Sequence, residues 1–316
     1  MTAAVLLLAA LAVAAAPAPA SEPPSTAPAV PARASTIPGA ELEFKSVDGW
    51  TLHAVWRKAQ EGKSTLVLLA GTGQRKEEWR PFARALAKAG YGYAALDMRG
   101  HGESRTTPSG ELITYKKLRA VKGANDYEDM TRDVEALVGV LVGQGAVEES
   151  VGILGAEVGG SVAVKYAAVH LKVPFVIMLS PDMHTQDIPI VNALRAFRGR
   201  TTPILMVHSE ADPRSSKDTP VLFSVAKISV GENNASLIVE PDERGTRMLR
   251  KNKDLTGRVL AWIADPHPPA VAVSTDAASG VAADTAAATS RPDQDSEAEP
   301  EAPVSDPAPA PGGDSL

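Results

Sequence analysis

Residues 154–161 read LGAEVGGS and stand between a short apolar run, VGIL, and a helical pattern, VAVKYAAVHL. A glycine-rich turn from strand to helix brings backbone N–H groups and one side chain to a sheet edge, and two chemistries use such a turn. One is dinucleotide binding, where the second glycine of G-x-G-x-x-G lets the backbone approach a pyrophosphate. With Gly155 first and Gly160 third, that second position is Glu157, whose charge repels phosphate and whose bulk blocks it. Several strands also precede a motif that normally opens its domain. The other chemistry is nucleophilic acyl transfer, where G-x-S-x-G presents a serine at a strained bend. Across 155–159 the serine position is again Glu157. Other phosphate loops are incomplete: GTGQRK after STLVLLA has no third glycine, and Gly62-Lys63-Ser64 has Arg57 where a P-loop needs its upstream glycine.

The elements that must position this turn are legible as alternating patterns. ELEFKSV and TLHAVWR, separated by Asp48-Gly49-Trp50, predict a hairpin. STLVLLA, YGYAALD, ESVGILG, VPFVIMLS, TPILMVH and ASLIVE read as strands, most of them continuous apolar runs of the kind a doubly covered sheet buries. Between them, WRPFARALAKAG, ANDYEDMTRDVEALVGVLVGQG, the stretch after LGAEVGGS, IVNALRAFR and DLTGRVLAWIA have helical spacing. Strands alternating with helices predict an α/β fold with a mostly parallel sheet covered on both faces. Ligands of such sheets bind at the carboxyl ends of the strands, so the turn at Glu157 lies where a site belongs.

The ends of the 316-residue chain have a different composition. Residues 3–16 are an uncharged apolar run too short for a bilayer, which takes about 20 residues. An A-x-A step follows, so residues 1–20 are expected to be a signal peptide, with cleavage after Ala20, no stable membrane span afterwards and an exported, periplasmic or secreted product. Residues 21–40 read as a Pro/Ser/Ala linker, 41–264 as one folded domain, and 265–316 as a disordered acidic tail with ten acids against Arg291. The tail carries −9 of the overall −6, so with a neutral linker the folded part is about +3. It has no basic stripe of the kind nucleic acid requires. The chain has no cysteine, which excludes disulfides, thiolate catalysis and thiolate metal sites. Export without disulfides, together with the Ala- and Pro-rich composition, fits a bacterial source.

Five stretches in chain order resemble the α/β-hydrolase superfamily, in its small capless, dienelactone-hydrolase-like branch. LVLLAGTGQRKEEW resembles the strand and oxyanion loop, with Ala70-Gly71 where His-Gly is common, and AALDMRGHGES resembles D-x-R-G-H-G-x-S. LGAEVGGS, followed by VPFVIMLSPD, resembles the nucleophile turn; PILMVHSEADPRSS is similar to the strand and turn carrying the acid; LIVEPDERGTRML resembles the histidine loop, A-H-G-T-x-M-L. The resemblance implies an eight-stranded, mostly parallel sheet with helices on both faces. No long insertion follows MLSPD, so little or no cap is expected. Carried over residue by residue, Asp212 is the catalytic acid, Glu157 stands at the nucleophile and Arg244 at the base, while Gly71, Thr72 and Val158 belong to the oxyanion loop.

That substitution pattern disables the usual chemistry. A triad needs a hydroxyl nucleophile and an imidazole that takes and returns its proton. Arginine stays protonated and cannot be a base near neutral pH. A carboxylate nucleophile would form an ester that still needs a base for hydrolysis. The two exchanges are complementary, however, because a guanidinium can bridge two carboxylates. The expectation is an ion triad of Glu157, Arg244 and Asp212, with the Glu157 carboxylate accepting bonds from Val158 N–H and the Gly71-Thr72 loop. His184 and His208 are candidates to line the cleft, His208 also suiting a packing role; with Glu157 and Asp212 they would make a two-His, two-carboxylate donor set, but the spacing demands no metal, and neither metal nor cofactor is expected. Ser161 lies outside the bend, His101 reads as structural, and His53, His170 and His267 offer no replacement base. Three functions follow: an exported non-catalytic hydrolase fold with a possible small-molecule ligand in its cleft, a hydrolase of carboxylic esters or related acyl substrates through an atypical site, or an interaction protein acting through its acidic tail. The pattern leaves the choice between enzyme and non-enzyme, and the oligomeric state, open.

Overall fold

The computed structural model describes residues 36–266. The expected signal peptide, residues 21–35 of the linker, His267 and residues 267–316 lie outside them. The predicted hairpin forms from β1 (Ala40–Lys45) and β2 (Thr51–Arg57), antiparallel with Lys45 opposite Thr51. The chain continues through β3 (Thr65–Leu69), α1 (Arg80–Lys88) and β4 (Gly92–Asp97). Two short strands follow, β5 (Ala120–Val121) and β6 (Ala124–Asn125), then α2 (Met130–Gly143), β7 (Val151–Ala156) and α3 (Val158–Val169). The last third holds β8 (Val176–Leu179), α4 (Ile190–Arg195), β9 (Ile204–Ser209), α5 (Ser215–Val230), β10 (Ala235–Glu240), α6 (Thr246–Lys251) and α7 (Lys253–Ala264).

Eight strands form one sheet in the order β1-β2-β4-β3-β7-β8-β9-β10, antiparallel through β2 and β4 and parallel from there on. β3, β4, β7, β8 and β9 are buried along their whole length, as their unbroken apolar runs require. Their alternate side chains feed two cores. Val67, Leu69 and Ile153 pack with Val134, Val162, Leu194 and Leu222 from α2, α3, α4 and α5. Leu66, Leu68 and Leu154 pack with Phe82, Leu249 and Val259 from α1, α6 and α7. Burying both faces leaves the carboxyl ends of the parallel strands as the place where loops meet, and β3, β7, β8, β9 and β10 each deliver one there.

Two features depart from the sequence pattern. The segment between β8 and α4 is short, residues 180–189. The larger excursion lies earlier, between β4 and α2, where residues 98–129 carry the β5–β6 ribbon against the segment between β8 and α4. Helix α5 was not apparent in the pattern, because Pro220 sits inside it and interrupts the helical signal.

Candidate functional site

The bend after β7 is held by glycines that have no alternative. A Cβ on Gly155 would stand 2.0 Å from the Gly159 carbonyl oxygen, and one on Gly159 would stand 2.3 Å from that of Leu69. Between them Glu157 adopts φ 53° and ψ −119°, a region non-glycine residues rarely occupy, at a cost of about 1–3 kcal/mol. Its N–H donates to the Leu179 carbonyl at 2.8 Å and its carbonyl accepts from Gly160 N–H at 2.9 Å. The backbone is thus fixed from β8 and from α3 itself, and the Glu157 side chain is thrown out over the carboxyl ends.

Arg244 arrives on the loop after β10. Ser209, at the end of β9, donates its hydroxyl to the Glu243 carbonyl, and Gly245 N–H donates to Ser180 Oγ at 2.9 Å. Two hydroxyls from neighbouring strand ends therefore pin the residues on either side of Arg244. Its Nη2 donates to Glu157 Oε2 at 3.0 Å. Its Nε lies 3.8 Å from Asp212 Oδ2, a charge contact too long for a hydrogen bond, and that Nε has no hydrogen-bond partner. Asp212 is instead committed to the start of α5: it accepts Ser215 Oγ at 2.7 Å and Arg214 N–H at 3.3 Å. The three residues of the expected triad do meet, but as one hydrogen-bonded pair with a third charge alongside.

The expected bonds from Val158 and the Gly71-Thr72 loop to Glu157 are absent. Glutamate is long enough to carry its carboxyl past the bend, so Oε1 is met by Gln74 Nε2 at 3.4 Å, while Gln74 Oε1 accepts the Gly71 N–H at 3.1 Å. Gln74 thus bridges the loop after β3 to the carboxylate, a role the sequence reading missed. The carboxyl packs tightly: a Cβ on Gly71 would lie 3.0 Å from Glu157 Cδ, and one on Gly245 would lie 2.7 Å from Oε1. Burial raises the Glu157 carboxyl pKa above the ordinary carboxylate value; the Arg244 charge opposes that rise, and Asp212 and Asp182 reinforce it.

Thr72, His184, Gln186 and Arg214 join Glu157 and Arg244 around a cleft of about 470 Å³. Gln186 donates from Nε2 to Thr72 Oγ1 at 3.3 Å, and Asn125 Nδ2 donates to the Gln186 carbonyl at 2.8 Å, so the segment after β8 is tied to both the β3 loop and the β5–β6 ribbon. Gln186 and Asp187 both have positive φ, 53° and 57°. His184 lines this cleft. His208 does not: it lies within β9 opposite Val239, buried, its Nδ1 3.4 Å from its neighbour's carbonyl, and burial lowers its pKa. It is a packing residue because it precedes the strand end by one position. No group of three or more His, Cys, Asp or Glu side chains among the described residues could hold a metal ion.

The remaining polar residues of AALDMRGHGES and its surroundings build scaffold. Arg99 is buried beneath Trp50 and donates to both Asp133 (Nε 2.9 Å, Nη2 2.6 Å) and Asp48 (Nη1 2.7 Å). His101 stacks on Tyr115, with ring centroids 5.4 Å apart and Nδ1 2.9 Å from the Arg99 carbonyl. Lys76, also buried, bridges Asp97 at 2.8 Å and Glu103, tying the loop that carries Gly71 and Gln74 to the end of β4. Ser161 is fully buried on α3, away from the cleft.

A mostly parallel eight-stranded sheet, helices on both faces and a strained strand-to-helix bend at the carboxyl ends define the α/β-hydrolase class of fold. The sequence profile of the serine aminopeptidase S33 family matches residues 60–229, 170 of the 316 residues, and the chain belongs to that family. Protein phosphatase methylesterase 1 of Mus musculus is 29% identical over 132 residues, 42% of this chain, which spans only 30% of that relative's length. Among solved structures, an esterase of Pyrococcus furiosus superposes with a TM-score of 0.56 at 17% identity, covering 71% of this chain and 91% of the esterase. The α/β-hydrolase GrgF of Penicillium gives 0.58 at 14% identity over 73% and 99%. Similarity at these identities concerns the fold.

Proposed function

We propose that this is an exported member of the small capless branch that has exchanged hydrolysis for ligand binding: Glu157 stands in the nucleophile position, Arg244 in the base position, Asp212 in that of the acid, and the cleft above them holds a small molecule. The observation that carries the reading is the 3.0 Å pair between Arg244 Nη2 and Glu157 Oε2 at the apex of the bend. Acyl transfer requires a group there that gives up a proton and a neighbour that accepts it. Glu157 has no hydroxyl to deprotonate, and a guanidinium is no general base near neutral pH. Were the carboxylate to attack, the guanidinium beside it could not activate the water needed to release the product. Support for the capless assignment is the short passage of residues 180–189 between β8 and α4. Export rests on the apolar run at residues 3–16 and the A-x-A step ending at Ala20, so N-terminal sequencing of the mature chain is expected to begin at Ser21.

The direct test treats the full chain with a fluorophosphonate probe and with p-nitrophenyl acetate. Intact-mass measurement is expected to show no serine adduct, and the ester to turn over no faster than with a Glu157→Gln variant. A serine adduct, or turnover that Glu157→Gln abolishes, overturns the non-catalytic reading in favour of a hydrolase with an atypical centre.

A further inference from the structure

Arg214 and Arg244 form a wall shared by two clefts, because both residues line the 470 Å³ space over Glu157 and a second space of about 450 Å³. The second space is bordered by Asp212, Glu243 and a third arginine, Arg247. Its acids are already committed. Asp212 accepts from Ser215 and from the Arg214 N–H, and Glu243 pairs with Lys251 at 2.8 Å. Arg244 is committed as well, to Glu157. The guanidinium groups of Arg214 and Arg247, both exposed, have no hydrogen-bond or salt-bridge partner among the described residues. Arg214 and Arg247 therefore present two planar cations with free donors to one space, Arg247 acting on Glu157 and Glu243 only through its field, and guanidinium donors match the two oxygens of a carboxylate.

The first space has no excess of cations, since Glu157 and Asp187 face Arg214 and Arg244 there. Asp187, exposed and without a cationic partner among the described residues, faces it together with Glu157. Of its lining side chains only Ala120 lacks a polar atom. An aliphatic acyl chain placed there would gain almost no apolar contact, whereas hydroxyl or amide groups would meet Thr72, Gln186 and His184.

We propose that the two spaces together take one small hydrophilic carboxylate, its anionic group at Arg214 and Arg247 and its hydrogen-bond donors turned over the Arg214–Arg244 wall toward Glu157 and Asp187. The proposal rests on the reading of this centre as a binding site and adds the ligand class and its orientation. It also assigns a function to Arg214 and Arg247, which lie outside the three family positions.

Isothermal titration of the full chain in chloride-free buffer at fixed ionic strength tests it, with lactate, its neutral isostere lactamide, butyrate and inorganic phosphate as probes. Lactate is expected to bind saturably, butyrate at least threefold more weakly, and lactamide not at all. Arg214→Gln and Arg247→Gln are each expected to weaken lactate at least tenfold, while Arg84→Gln, exposed on α1 and away from both spaces, leaves it unchanged. Phosphate binding more tightly than lactate, with the same variant dependence, overturns the carboxylate assignment. Equal binding of lactate and lactamide, no saturable binding of any probe, or indifference to the two variants overturns the site. Ester turnover measured on the same samples separates the two levels: turnover with Arg-dependent lactate binding intact defeats the non-catalytic reading alone, and inertness without lactate binding defeats this proposal alone.

Discussion

Replacing Arg244 by glutamine removes the cation from a carboxyl that has little water of its own. Glu157 is 15% exposed and Arg244 38%, so the pair lies between a buried and a surface ion pair. Two unit charges 4 Å apart are worth about 4 kcal/mol at an effective dielectric of 20 and about 1 kcal/mol in water. Orphaning a fully buried partner costs about 3–5 kcal/mol, and exposed pairs are worth about 0–1. The exposure of Arg244 pulls the figure toward the lower range, and Gln74 remains beside Oε1, so we expect Arg244→Gln to cost about 1.5 kcal/mol at pH 7.5. For a domain of this size that lowers Tm by about 3–6 °C.

The pH dependence gives the sign independently. Burial already raises the Glu157 pKa and Arg244 restrains the rise, so removing Arg244 lifts it further. In the variant the native state then binds a proton at a pH where the unfolded chain has lost it. Stability falls as pH rises from the unfolded carboxylate value through the folded one, and is constant above. The deficit of Arg244→Gln relative to the parent should therefore be largest at pH 7.5 and shrink as the pH is lowered toward 5. Urea unfolding of the parent, Arg244→Gln, Glu157→Gln and the double variant closes a cycle whose coupling we expect to be about 1 kcal/mol at pH 7.5. Additivity within about 0.5 kcal/mol, or a deficit that grows on acidification, would refute the ion pair.

Three further outcomes are expected. Joint Glu157→Ser and Arg244→His substitution, with Asp212 in place, should give measurable p-nitrophenyl acetate turnover and fluorophosphonate labelling at position 157, with neither single change sufficient; an inert double variant would show that more than these two positions separates the cleft from catalysis. Gly155→Ala should cost at least about 3 kcal/mol, since its Cβ would meet backbone at 2.0 Å, whereas Gly139→Ala on α2, with nothing within 4 Å, should gain about 0.5–1 kcal/mol; urea midpoints decide both. Asp133→Asn should cost about 3 kcal/mol, because it discharges the buried partner of Arg99 and leaves that cation with Asp48 alone, again read from the urea midpoint.

The strands were legible because a sheet covered on both faces demands unbroken apolar runs, and such runs at positions 65–69, 92–97, 151–156 and 204–209 stand out against their neighbours. Helix α5 was hidden because its first turns, SSKDTP, read as loop chemistry: local propensity opposes the helix there, and packing of Leu222 and Ala226 against the sheet decides it. At the site, the meeting of Glu157 with Arg244 was readable because the two positions that the resemblance sets at nucleophile and base carry opposite charges. Gln74, Arg214 and Arg247 were not, since nothing local distinguishes a loop glutamine or a surface arginine. Gln74 makes its contact across 83 positions, and Arg214 and Arg247 come together only around a shared cleft. The expected oxyanion-loop bonds failed for a related reason: motif alignment places an atom at the bend, whereas the length of the glutamate side chain places its charge beyond it.

The bend itself separates what the backbone requires from what the side chain supplies. Its positive φ at residue 157 is enforced by the close approach of Gly155 to Gly159, by the contact of Gly159 with β3, and by the Leu179 carbonyl that receives the residue's N–H. None of these contacts involves the glutamate side chain. Strain of this kind persists only when the surroundings over-determine it, and here they do so without reference to what residue 157 carries. The Arg244 loop is fixed in the same manner, by hydroxyls of Ser180 and Ser209 acting on its neighbours' backbone. Two rigid mounts therefore fix the backbone at positions 157 and 244 independently of the side chains there. A serine and a histidine placed there would inherit a preformed approach, while a glutamate and an arginine use the same approach to neutralise each other in a partly buried space.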